Sequence, residues 1–182
     1  QNPSLQPEEK ASWLRPNGEN DSLYTKYHHP VTQVTWNDAH AYCKWKSKEL
    51  GKKVRLPSEI EWEYVASNFG QTPPDEFFWS PEEIIHFCNI EDTGILDTTA
   101  VDNFPEHTQT GGIADMYGNV FEWTEDSHER KRRGKTSPLD YKIARGGSFI
   151  TLYKHIAHWR RLSFLKIYCT SFLGFRTVCE PD

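Results

Sequence analysis

The first strong pattern along the chain is VTWNDAHAYCKWKSKELG, in which small and apolar positions return at helical spacing. Ala39, Cys43, Lys46 and Leu50 fall on one face, with Trp36 and Trp45 on its flanks. Thr35 can cap this helix, Asp38 stands where a capping-box acid belongs, and Gly51 stands where a C′ glycine ends it. RLPSEIEWEYVAS opens a second helix: Ser58 followed by Glu61 forms an S-x-x-E box, and Pro57 sets the entry. Only residues 52–57 separate the two, which leaves room for a turn and a brief strand.

Past residue 70 the pattern changes. Gly, Pro, Thr, Asp and Asn are scattered among short apolar clusters up to residue 112, as in irregular segments that are functional or pinned by a metal. GIADMYGNVFEWTED then has a turn at Tyr117-Gly118-Asn119, and the alternation from Val120 to Thr124 predicts a strand. KIARGGSF and LGFRTV read as further short strands. Residues 1–30 lack periodicity and read as an irregular lead-in; residues 31–182 form one domain. Helices first and short strands later predict an α+β fold.

Composition narrows the function. The 182 residues suffice for a single core, and a net charge of -5 excludes a generic binder of nucleic acid or acidic membrane. The cationic run Arg130, Lys131, Arg132, Arg133 and Lys135 reads as a solvated loop. Aromatic residues are abundant in a chain whose mean hydropathy is -0.75, so an aromatic core lies under a polar shell. No apolar run has the length of a membrane span, and the start Gln1-Asn2-Pro3, without Met, fits a product cut from a longer one. Cys43, Cys88, Cys169 and Cys179 contain no C-x-x-C pair, which excludes a zinc ribbon and leaves free thiols as the expectation. The histidines have no nucleophile or carboxylate at motif spacing, and His107 only follows Glu106 directly.

One stretch stands apart: GGSFITLYKHIAHWRRLSFLKIYCTSFLGFR, residues 146–176. Between its glycines lie six aromatic residues, six Lys, Arg or His, and no acid. A strand region cannot bury all of these. Trp159 and every second strand residue are expected to point inward, and the others to form an exposed aromatic patch with the composition of a protein-binding surface.

Three stretches in order, HPVTQVTWNDAHAYCKWKSKELGKKVRLPSEIEWEYVA, GIADMYGNVFEWTED and ARGGSF…LGFRTV, resemble the formylglycine-generating-enzyme (sulfatase-modifying factor) family over about residues 29–178. The resemblance implies a variant of the C-type-lectin fold. The family's opening strand with its Met-Gly signature is absent. In the catalytic members, two cysteines spaced five residues apart follow Gly-Gly-Ser, bind copper(I) and activate oxygen; the matching positions are Thr151 and Ile156. Soft Cu(I) takes thiolate or thioether, and these residues supply neither, so no copper and no catalysis are expected. Relatives in sulfoxide-type chemistry use an iron site on a separate helical domain that has no counterpart in this sequence.

The resemblance also implies calcium at Asp115, Gly118, Val120 and Glu122, and more weakly at Asn89, Ile90 and Asp92. The alternative at the first site is that Asp115 caps the turn and Glu122 pairs with an arginine such as Arg145 or Arg176. A second branch of the family, the variable proteins of diversity-generating retroelements, varies the stretch between Gly-Gly-Ser and Gly-Phe-Arg. Template codons of the AAY type cannot yield Lys or Trp. Within 148–173 only Lys154, Trp159 and Lys166 lie outside the permitted set. The ligand-binding positions implied are Phe149, Ile150, Thr151, Leu152, Tyr153, His155, Ile156, His158, Arg160, Phe164, Leu165, Ile167, Tyr168, Thr170, Ser171 and Phe172.

That branch implies an unknown protein ligand, host or microbial, and no nucleic-acid partner. It also implies display on the bacterial cell surface or outer membrane as a lipoprotein whose anchor lies outside this chain. Two other readings stay open: an oxidase or other enzyme of this fold, and a fixed structural or regulatory module.

Overall fold

The computed structural model describes residues 10–19, 21–72, 79–80, 82–101, 103–104, 113–132, 135–137 and 139–181. Glu106, His107 and Arg133 lie outside them.

Both predicted helices form with the predicted caps. Helix α1, Trp36–Leu50, starts at a capping box in which Thr35 Oγ1 accepts from Asp38 N and Asp38 accepts from Thr35 N. It stops at Gly51, at φ 64°. Ala39 and Cys43 are its buried residues, whereas Leu50 is exposed, so the buried face is shorter than its period suggests. Helix α2, Glu59–Ala66, starts at the matching Ser58–Glu61 box. Strand β1, Val54–Arg55, fills the space between the helices and pairs antiparallel with β8, Val178–Cys179.

The main sheet has four strands: β2 (Phe121–Ser127), β5 (Tyr141–Arg145), β6 (Arg161–Leu165) and β7 (Leu173–Phe175). Their order is β6-β5-β2-β7, antiparallel except where β7 runs parallel to β2. The central strand departs from the alternation read in sequence. Phe121, Glu122, Trp123 and Thr124 are all buried, because β2 is covered on both faces. Among the cationic residues read as a loop, Lys131–Arg132 (β3) and Lys135–Thr136 (β4) pair as two short antiparallel strands. Arg130 lies 4.3 Å from the Tyr141 ring centroid and donates to Ser163.

Two aromatic-rich clusters fill the interior. One joins Ala39 and Cys43 of α1 to Leu56, Phe121, Trp123 and Leu173. The other joins Trp62 and Ala66 of α2 to Ile84, Ile90, Met116 and Tyr117. The described part of the lead-in is tied to this body: Lys26 is buried and its ammonium meets both oxygens of Asp97 at 2.9 and 2.7 Å.

Candidate binding surface of the segment between Gly147 and Gly174

The segment leaves β5, contributes Phe149 and Phe172 to one interior cluster and Ile156 to the other, and returns as β6 and β7. Arg145, the last residue of β5, anchors its first half. Its guanidinium is 1% exposed, donates to Glu59 at 2.9 Å and to Glu63 at 2.5 Å, and also holds the backbone carbonyls of His158 and Trp159. Glu59 and Glu63 are one turn apart on α2, so a single arginine fastens the loop to that helix. The sequence offered Glu122 as a partner for Arg145 or Arg176; Glu122 pairs with Arg176, and Arg145 takes Glu59 and Glu63 instead. The signal was present, because E-x-x-x-E on a helix opposite a buried arginine is a natural fork partner.

Gly147 is the second fixed point. It sits at φ 80°, and a Cβ there would lie 2.4 Å from Ile156 Cδ1 and 3.5 Å from Thr151 Cγ2. The two positions where the resemblance calls for cysteine thus converge on this glycine, and both present methyl groups. Thr151 Oγ1 also accepts from Ser148 N at 2.9 Å, and Ile156 joins the second cluster. Cys43 and Cys88 stand in the core, and burial pushes the Cys43 thiol up to about 11 and the Cys88 thiol higher still. Neither is poised as a thiolate.

Folding divides the predicted ligand-binding positions. Phe149, Thr151, Ile156, His158 and Phe172 are buried, which removes them from any contact surface. Ile150, Phe164 and Tyr168 are half-buried against the first cluster, and Phe164 stacks on Tyr168 at 5.2 Å and meets Trp123 edge-on at 6.0 Å. Leu152, Tyr153, Arg160, Leu165, Thr170 and Ser171 are half-exposed, and His155 and Ile167 are exposed. Trp159 was expected to point inward. It is instead 53% exposed, while the neighbouring His158, whose carbonyl Arg145 also holds, is buried.

Asp115, Gly118 and Val120 lie in the stretch that leads into β2, which holds Glu122, with Asp115 at φ 55° and Gly118 at φ 75°. The Glu122 carboxylate, however, accepts from Arg176 through both oxygens at 2.5 and 2.7 Å and from Trp62 Nε1 at 2.7 Å. Arg176 also donates to the carbonyls of Ala114 and Asp115. The side chains as placed do not fit a dication, since a guanidinium already neutralises the carboxylate. In the weaker set, Asn89 Nδ2 donates to Asp97 O, Ile90 O accepts from Thr93, and Asp92 accepts from Tyr153 N. Among the described residues no three His, Cys, Asp or Glu side chains gather as metal ligands. A separate cleft of about 710 Å³ is lined by residues outside 148–173, among them Trp13, Val31, Tyr42 and Phe175.

Comparison with known proteins places this arrangement. The chain is 32% identical to the formylglycine-generating enzyme of Mus musculus over 200 residues, covering 97% of this chain and 50% of that protein. It is 31% identical to the inactive C-alpha-formylglycine-generating enzyme 2 of Bos taurus over 156 residues, covering 79% of this chain and 46% of the relative. It therefore spans about half the length of these curated relatives. Among solved structures, PvdO from Pseudomonas aeruginosa superposes with a TM-score of 0.74 at 25% identity, covering 92% of this chain and 66% of that one. Treponema denticola variable protein 1 superposes with a TM-score of 0.72 at 21% identity, covering 98% and 78%. Residues 4–181 match the sulfatase-modifying factor enzyme 1-like domain, and the chain belongs to that family, with its α+β, C-type-lectin-like fold.

Proposed function

We propose that this chain is a non-catalytic binding protein that presents the outer side of residues 148–173 to a protein ligand. The observation that carries this reading is the convergence of Thr151 and Ile156 on Gly147. The place of a copper-binding cysteine pair is filled by aliphatic packing with no soft ligand. An inactive relative and a variable protein of the same fold are consistent with it. Around that plug, Trp159, Ile167 and Leu162 expose apolar area, while His155, Arg160 and Arg161 supply polar groups, a mixture suited to a protein interface. Display at a bacterial surface, as in the retroelement branch, belongs to the same proposal.

The experiment is to sequence the coding DNA for residues 140–182 in many isolates. Substitutions should gather at outward positions such as Tyr153, His155, Arg160, Ile167 and Thr170. Buried Phe149, Ile156 and Phe172 should hold still, together with the codon-excluded Lys154, Trp159 and Lys166. An invariant segment would count against diversification. Copper-dependent oxygen uptake with a cysteine-containing peptide would replace the proposal with the oxidase reading.

A further inference from the structure

Residues 148–173 hold four Lys or Arg and no Asp or Glu, in a chain whose total charge is -5. Folding pairs two of these cations: Arg161 with Glu59 and Lys166 with Asp140, each at 2.9 Å. The other two, Lys154 and Arg160, form no ion pair among the described residues. Arg160 Nη1 instead reaches His155 Nδ1 at 2.9 Å. Arginine only donates, so Nδ1 accepts, and the neutral His155 ring carries its proton on Nε2 as a further donor. Beside them Trp159 is held by its backbone with the indole outward. Two acids border this arm: Glu91, whose N–H donates to Thr151 O, and Asp92, whose carboxylate accepts from Tyr153 N.

We propose that the arm formed by Lys154, His155, Trp159 and Arg160 receives an acidic protein segment, with a carboxylate at Arg160 and Lys154 and an apolar side chain against the Trp159 indole. The proposal rests on the reading that this face binds protein, and it names the chemistry of the partner. Two cations with no ion pair among the described residues, one of them a guanidinium fork, suit a few carboxylates. They do not make the continuous basic track that a nucleic acid needs, and the net negative charge of the molecule opposes a long polyanion.

The test is selection of a random peptide library displayed on phage against the full chain, followed by synthesis of the recovered peptides. The expected result is enrichment of Asp and Glu next to aromatic or aliphatic residues. Binding should weaken at least tenfold in the double variant Lys154→Glu/Arg160→Glu and in Trp159→Ala, with thermal midpoints unchanged. Peptides without acid excess, lost with Trp159→Ala but indifferent to the double variant, would overturn the charge assignment and leave the surface reading standing. Peptides that bind all variants like the parent would overturn both, and a selection that enriches nothing would overturn the acidic assignment. Tighter binding of a short DNA duplex than of any recovered peptide would overturn the choice of protein as partner.

Discussion

His158 shows how one buried side chain ties the binding segment to solution pH. It is 2% exposed and its Nδ1 has no hydrogen-bond partner among the described residues. Burial lowers its pKa below the ordinary 6.5, Glu63 works against that, and Arg145 adds to it. The folded protein therefore resists a proton that the unfolded chain accepts near 6.5. Stability is complete above that value and falls as pH drops through it, by about 1.4 kcal/mol per unit of difference between the two states. His29 shifts in the same direction, also chiefly through burial, so it contributes a parallel slope. Thermal midpoints measured from pH 7.5 to 5 should decline, and His158→Gln should flatten the decline without abolishing it. An unchanged slope in that variant would show that His158 is solvated. The Glu122–Arg176 pair yields a second prediction. Because Arg176 satisfies the carboxylate, millimolar calcium should leave the midpoint unmoved, and Glu122→Ala should cost about 3–5 kcal/mol. A midpoint that rises with calcium and falls with a chelator would restore the four-residue ligand set.

At the level of elements, β6 is the place where surface and core meet. Phe164 lies on it half-buried, with ring contacts to Phe121, Trp123, Tyr168 and Phe172. Phe164→Asp should therefore unfold the protein, since an unpaired carboxylate would enter an aromatic cluster, whereas Trp159→Ala should leave its circular dichroism and midpoint intact. A folded Phe164→Asp variant would place that ring outside the core. The helices were legible because their signals are local: Thr35 with Asp38, Ser58 with Glu61, and Gly51 each act within four residues. The buried length of β2 was not legible in the same way. Its alternation describes a strand with one wet face, and nothing in FEWTED reports that Trp62 of α2 and Arg176 close over Glu122 on the other.

For the whole molecule, sequence alone determined the class, the capped helices, the turn at Gly118-Asn119, and that residues 151 and 156 carry no soft metal donor. Each follows from residue type at short spacing, or from donor atoms that a side chain has or lacks. Tertiary structure decided which members of an aromatic segment without acids face water. Trp159 faces out and its neighbour His158 in, although Arg145 holds both carbonyls, while Gly147 leaves space that Ile156 fills. It also decided which cations of the segment are paired, because Glu59 and Asp140 reach Arg161 and Lys166 from positions far away in the chain. Burial and charge pairing are properties of what approaches a residue from elsewhere. A linear pattern carries that information only after the chain has closed on itself.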